Sequence, residues 1–187
     1  MSNVPDTLPA AAAQVLHVWR EAGPDKWFAH DAPFDAHIRV TFLSVYEAAA
    51  AGQLAAWEAT AEGSLALVIV LDQFPRNMFR ATPQAFTTDA AARAAANRAL
   101  KRGYDQDVAE IMRGFFFLPF THSEDLADQQ RGVALYREAG DEDGLKWALI
   151  HADIIRRFGR FPHRNIVLGR ATTAEEQAFL DPGGFKG

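Results

Sequence analysis

Apolar residues recur along most of the chain at intervals of three and four positions, the spacing that lines one face of an α-helix. Ile38, Phe42, Val45 and Ala49 are one such set, and Gly52 follows them as a helix terminator. With capping and turn residues as boundaries, the same pattern predicts eight or nine helices. They cover residues 10–22, 35–51, 54–60, 65–74, 87–103, 107–117, 124–139, 141–158 and 172–180.

Residues 65–71 form an apolar run whose pattern fits a buried strand as well as a buried helix. A strand needs a partner, and the remaining candidates, residues 115–120 and 166–168, are short and lie beside prolines or charges. We therefore predict a buried helix that ends near Phe74, because Pro75 lacks the N–H group that would continue it.

The length and composition are those of one soluble globular domain. The chain has 187 residues, of which 49% are hydrophobic, and this is enough to bury a sizeable core. Short connections join the predicted helices, so the pattern predicts an all-α helical array. We expect a single domain over residues 10–180, between tails at residues 1–9 and 181–187.

Charge and cysteine content exclude several classes of function. The net charge of −5 argues against a nucleic-acid binder that works through bulk charge. The absence of cysteine excludes disulfides, thiolate catalysis and cysteine-ligated zinc. No signal-peptide pattern is visible, and the longest apolar run is too short to span a bilayer. We expect a cytoplasmic protein whose partners include neither nucleic acid nor a membrane.

A rare polar string occurs twice, as Phe-Pro-Arg-Asn at residues 74–77 and as Phe-Pro-His-Arg-Asn at residues 161–165. Each copy follows an apolar helical stretch and combines the planar donor fork of arginine with an amide. The second copy lies within residues 154–174, which hold five arginines and no acid. We refer to the two strings as the first and second corners. They predict either an anion-binding site or structural staples that tie helices together through carbonyls or a buried acid such as Asp72.

Polar residues also interrupt the apolar faces of predicted helices. His151 shares a face with isoleucines in residues 141–158, and either Gln129 or Gln130 interrupts residues 124–139. Inward polar groups are costly unless they have partners, so they indicate an interior network. In the segment of residues 122–125, His-Ser-Glu-Asp, we expect Ser123 to cap the next helix.

The catalytic candidates are His122 or His151, paired with Glu124 as acid or base. The same three residues could form a two-histidine, one-carboxylate metal site, but no His-x-x-x-His or Glu-x-x-His spacing supports it. We expect neither a metal nor a cofactor.

Several strings resemble those of one known family. They are residues 71–77, residues 122–125 with Gln129, and residues 158–165, 168–170 and 173–176. Over residues 27–180 the chain is similar to the uncharacterised "domain of unknown function 924" family of bacteria and some eukaryotes. The resemblance implies an all-helical, TPR-like superhelix and no particular activity. Its recurrent positions correspond here to Asp72, Gln73, Arg76, Asn77, Arg80, His122, Glu124, Gln129, His151, Arg160, Arg164, Asn165 and Arg170.

Two classes of function follow. The first is a small-molecule site, in an enzyme or a binding protein, that holds an anionic ligand in a polar pocket formed by both corners and residues 122–125. Its expected ligand-binding residues are Asp72, Gln73, Arg76, Asn77, Arg80, Gln129, Arg160, His163, Arg164 and Asn165. The alternative is a TPR-like module that binds a protein or peptide, with the corners as staples. The chain lacks the regular 34-residue consensus of true TPR repeats, so their peptide-binding function does not transfer automatically.

Overall fold

Helices account for all the regular secondary structure of residues 7–181, the part of the chain that the computed structural model describes. There are ten α-helices and four short 3-10 helices in this part, and no strand. The prediction of an all-α fold is therefore confirmed. The predicted tails lie largely in residues 1–6 and 182–187, which are outside the described residues.

The chain divides into two compact units by its contacts. Unit 1 comprises Met1–Arg80 and Gln84–Pro119, and unit 2 comprises Ala81–Pro83 and Phe120–Gly187. This division does not test the expectation of a single domain over residues 10–180, which stays a prediction.

Unit 1 is built around one buried helix. Its helices are α1 (Ala10–Ala22), α2 (Pro24–Trp27), α3 (Ala32–Ala50), α4 (Ala61–Met78), α5 (Asp89–Lys101) and α6 (Glu110–Arg113). Helix α4 packs against α1, α3 and α5 and is buried on nearly every side, as its continuous apolar run predicts. Thr60 caps α4 by accepting the N–H of Gly63. A Cβ atom on Gly63 would lie 2.2 Å from the Trp57 carbonyl oxygen, so only glycine fits there.

Helix α4 does not end at Phe74, and this boundary prediction is wrong. The helix continues through Pro75 to Met78. Proline has no N–H to donate to the carbonyl four residues earlier, which belongs to Leu71. The Thr88 hydroxyl replaces that donor, because its Oγ1 lies 2.6 Å from the Leu71 oxygen. A side chain at the start of α5 therefore compensates for the proline inside α4.

Unit 2 is an αα-hairpin followed by a polar loop and a short helix. A short helix, α7 (Leu118–Thr121), leads into it across the boundary between the units. The remaining helices are α8 (Leu126–Ala139), α9 (Glu142–Phe158) and α10 (Ala174–Leu180), with a 3-10 turn at Pro162–Arg164. Helices α8 and α9 pack together, and left-handed glycines, Gly140 and Gly159, end them. Ile154, Ile155 and Phe161 form a small core in this unit.

The start of α8 also differs from the prediction. Asp125, rather than Ser123, caps the helix, and its carboxylate accepts the N–H groups of Ala127 and Asp128. The Ser123 hydroxyl instead donates to the Asp128 carboxylate. Residues 122–124 therefore precede the helix, and their backbone groups are available to other partners. None of the described helices is long and apolar enough to cross a membrane.

The Thr88 contact can be tested by a double-mutant cycle. We expect Thr88→Val to lower the free energy of unfolding by about 1–3 kcal/mol, because it leaves the buried Leu71 carbonyl without a donor. In a Pro75→Ala background the alanine N–H can reach that carbonyl, so the same substitution should cost markedly less. Urea unfolding of the four chains gives both values. Equal losses in the two backgrounds would contradict the compensation.

Candidate functional site

The predicted site residues are distributed over both units. Unit 1 holds the first corner and its neighbours, which are Asp72, Gln73, Arg76, Asn77 and Arg80. Unit 2 holds His122, Glu124, Gln129, His151, Arg160, His163, Arg164 and Asn165. A pocket formed by both corners stays a prediction, and the two groups are described in turn.

In the first corner, Arg76 is bound by acids of its own unit. Its Nη1 donates to the Asp72 carbonyl at 2.5 Å, and its two Nη atoms bind the Asp89 carboxylate at 2.9 and 3.1 Å. The Asp72 carboxylate, which is 1% exposed, lies 3.4 Å away and also accepts a bond from Gln73. These bonds tie α4 to the start of α5.

The rest of the first corner binds α3. Asn77 donates to the Asp35 carboxylate at 2.7 Å, and Arg80 binds both of its oxygens at 2.8 and 3.0 Å. Burial alone would raise the pKa of Asp35, but the bonds from Arg80 and Asn77 outweigh it and hold the pKa below its usual range. Sequence reasoning missed Asp35 and Asp89. Each lies in the first turn of a helix, and that position was their only signal.

In unit 2, three successive backbone carbonyls organise the polar side chains. They belong to residues 121–123, which we name the carbonyl turn, at the end of α7. Gln129 Nε2 donates to the carbonyls of Thr121 and Ser123 at 2.8 and 2.6 Å. His151 Nδ1 lies 3.0 Å from the same Thr121 oxygen, and Arg164 Nη1 donates to the His122 carbonyl at 3.0 Å. Side chains from α8, α9 and the second corner thus meet on one turn.

Gly132 allows α8 to approach this turn closely. A Cβ atom built on Gly132 would lie 2.7 Å from Thr121 Cγ2 and 3.4 Å from the Thr121 backbone nitrogen. Glycine at this position therefore keeps the Thr121 carbonyl within reach of Gln129, one turn earlier on the same helix.

The Glu124 carboxylate joins the carbonyl turn to the second corner. It accepts the Phe161 N–H at 2.8 Å and binds Arg170 through two bonds of 2.7 and 3.0 Å. Burial would raise the pKa of Glu124, but the bonds from Arg170 and Phe161 lower it below its usual range. Glu124 therefore stays ionised at neutral pH with both oxygens engaged, which suits it to positioning rather than to proton donation.

Three positively charged or titratable side chains surround the Phe161 ring. The ring centres of His151 and His163 each lie 5.4 Å from the centre of the Phe161 ring, and the guanidinium carbon of Arg164 lies 4.4 Å from it. The His122 ring is 6.4 Å from that of His151. Arg164 is buried, whereas the three histidines are half-buried and keep some contact with solvent.

The histidines beside Phe161 are neutral at physiological pH. Burial and the neighbouring His122 lower the pKa of His151 to about 3. Burial and the charge of Arg164 lower the pKa of His163 to about 4. Because a carbonyl oxygen only accepts, the bond to Thr121 places the proton of His151 on Nδ1. The lone pair is then on Nε2, the atom that can bind a proton.

A second carboxylate fixes the rest of the second corner. Glu176, 3% exposed, accepts bonds from Arg160 at 2.6 and 2.8 Å, from Asn165 at 3.1 Å and from the Thr173 N–H at 2.8 Å. The bonds from Arg160 and Thr173 lower the pKa of Glu176 to about 2. The sequence identified Glu176 only as part of a capping box, and that box is present with Thr173.

Gln129 Oε1, Asn165 Oδ1 and Arg170 Nε are among the buried polar atoms in unit 2 that have no hydrogen-bond partner in the described residues. Gln129 and Asn165 are fully buried. No group of three or more His, Asp or Glu side chains in residues 7–181 is arranged to hold a metal ion.

Comparison with known proteins agrees with the sequence resemblance. The sequence model of a protein family, described as "Bacterial protein of unknown function (DUF924)", matches residues 15–184. A solved structure, the protein of unknown function ATU0120 from Agrobacterium tumefaciens, is 49% identical with a TM-score of 0.90. The similarity covers 93% of this chain and 98% of that one. No curated protein matches the chain.

The neutral histidines make stability depend on pH. The unfolded chain takes up protons on His151 and His163 near pH 6.5, whereas the folded chain resists this until about pH 3 and about pH 4. Stability is therefore fully present above pH 6.5 and falls as the pH is lowered toward the folded pKa values. Each histidine should contribute a slope of up to about 1.4 kcal/mol per pH unit.

Urea unfolding at pH 7, 6 and about 5.5, where most carboxylates stay ionised, measures this slope. We expect the His163→Gln variant to lose a large part of it. A parent protein whose free energy of unfolding is constant over this range would contradict the burial of neutral imidazoles.

Proposed function

The chain belongs to the DUF924 family of bacterial proteins of unknown function, and we propose that its unit 2 binds a small anionic ligand beside Phe161. The convergence of Arg164, His151 and His163 on the Phe161 ring carries this proposal. His122, next to His151, completes the set. These groups come from the carbonyl turn, α9 and the second corner.

The chemistry of this set favours an anion. A guanidinium binds carboxylate or phosphate through parallel hydrogen bonds, and Arg164 is held in place by its bond to the His122 carbonyl. Burial keeps the neighbouring imidazoles neutral, so each can accept a proton when a negative charge arrives. An anion would therefore bind together with protons, and the half-buried rings keep a route from solvent.

Three other arginines of the predicted site each hold a carboxylate of the protein and belong to its structural contacts. Arg76 is bound by Asp89, and Arg160 by Glu176. Arg80 binds Asp35 in the same way. We restrict the ligand set to His122, His151, His163 and Arg164, because these side chains meet at or next to the Phe161 ring, although the sequence favoured a larger set.

The second candidate function is a TPR-like module that binds a protein or peptide, with the corners as staples. The first corner supports it, since Arg76 joins a carbonyl and two acids of unit 1. Arg164 also donates to a carbonyl. The two candidates differ in whether unit 2 binds a small anion.

Histidine-ring NMR can test the anion site with an internal control. Of the six histidines, His122, His151 and His163 lie in unit 2, whereas His17, His30 and His37 lie in unit 1. We expect sulfate to shift the ring signals of the three unit 2 histidines in a saturable way. Sodium chloride at the same ionic strength should not reproduce these shifts. Equal shifts of all six rings, or none, would contradict the proposal and favour the module.

Substitutions distinguish specific binding of sulfate by Arg164 from a general effect of the protein's net charge. We expect Arg164→Gln to abolish saturable sulfate binding, and Arg164→Lys to weaken it because lysine lacks the planar fork. Arg137→Gln removes the same charge from an exposed position on α8 and should leave binding unchanged. If Arg164→Gln fails to fold, the comparison of Arg164→Lys with the Arg137 variant still decides the result.

Sulfate binding should also depend on pH in a direction that the neutral histidines determine. Bound sulfate favours protonated His151 and His163, so affinity should rise as pH falls from 7.5 to 5.5. The limit is about tenfold per pH unit for each proton taken up. Sulfate keeps a constant charge over this range, so any change reports the protein. Titration calorimetry in two buffers of different ionisation enthalpy counts the protons, and a value of zero at pH 5.5 would contradict the coupling.

A further inference from the structure

Gln129 has an unusual hydrogen-bond balance for a fully buried side chain. Both hydrogens of its amide nitrogen are used, because Nε2 donates to the carbonyls of Thr121 and Ser123. Carbonyl oxygens only accept, so this pairing also fixes which end of the amide is nitrogen. The remaining atom, Oε1, is buried and has no hydrogen-bond partner among the described residues.

This acceptor belongs to the same group of residues as the proposed ligand set. Gln129 and His151 donate to one and the same Thr121 carbonyl oxygen, at 2.8 and 3.0 Å. The Gln129 amide is therefore a close neighbour of the imidazole that faces Phe161. Gly132 holds α8 near enough to Thr121 for this shared contact.

An unsatisfied acceptor in this place has an energetic consequence. A buried polar group without a partner costs about 1–3 kcal/mol, and a ligand that supplies a donor recovers that cost. A ligand without a donor leaves Oε1 unsatisfied, so the cost remains. Such a ligand also lacks the hydrogen bond that a donor would form with Oε1. Sites of this kind reject analogues that lack the donor far more strongly than they reject small changes in size.

We infer that the anionic ligand of unit 2 is a small hydroxy acid, whose hydroxyl group donates a hydrogen bond to Gln129 Oε1. This inference rests on the proposed function, since Arg164 and the histidines bind the acid group. A hydroxyl is favoured over an ammonium group, because the charge of Arg164 acts on the same cluster and would repel a second cation. Gln129 is thus the residue that determines specificity.

Lactate and propionate test this inference, because they differ only by the hydroxyl group. We expect one enantiomer of lactate to shift the ring signals of His122, His151 and His163 with at least about tenfold higher affinity than propionate. In Gln129→Met the preference should disappear, whereas Gln130→Met, at the exposed neighbouring position, should preserve it.

The outcomes separate the two proposals. Equal affinities for both lactate enantiomers and propionate would overturn the hydroxy-acid inference and leave the anion site intact. A buried water that donates to Gln129 Oε1 would produce this result. If neither these acids nor sulfate shifts the unit 2 histidines, the anion site fails and the inference fails with it. The comparison in the parent protein decides the question even if Gln129→Met does not fold.

Discussion

The arrangement of unit 2 depends on three successive backbone carbonyls at the end of α7. They belong to the carbonyl turn, residues 121–123, and leaving each buried without a donor would cost about 1–3 kcal/mol. Gln129, His151 and Arg164 supply the donors, and in doing so each is fixed in position. The bonds that stabilise the turn therefore also preorganise the candidate site, so stability and function rest on the same contacts.

The arginines in and beside the two corners differ in their surroundings. Arg76 and Arg160 each bind a carboxylate through paired hydrogen bonds. Arg164 donates to the His122 carbonyl, and its guanidinium carbon lies 4.4 Å from the centre of the Phe161 ring. The same short string thus produces structural links in one unit and a candidate anion-binding group in the other. The surroundings of the arginine, rather than the string itself, make this distinction.

The local sequence pattern predicted the positions of the helices well. It did not predict the distant side chains that form hydrogen bonds and ion pairs with them. The buried run in α4 and the capping box of α10 follow from residues close together in sequence. The path of α4 through Pro75 depends on the hydroxyl of Thr88, which no window around the proline includes. Likewise, Asp89 binds Arg76 across thirteen positions. The pattern left Gln129 and Gln130 as alternatives because only tertiary packing selects the buried one.

Glu176 has a consequence for how the end of the chain opens. One carboxylate caps α10 and also holds Arg160 and Asn165, so the seven-residue helix and the second corner share their polar contacts. A helix of that length does not persist in water without tertiary contacts. Fraying of α10 would release the corner at the same time, and amide hydrogen exchange in the two segments should therefore have one common opening free energy. A protease would therefore gain access to α10 and to the second corner in the same opening event.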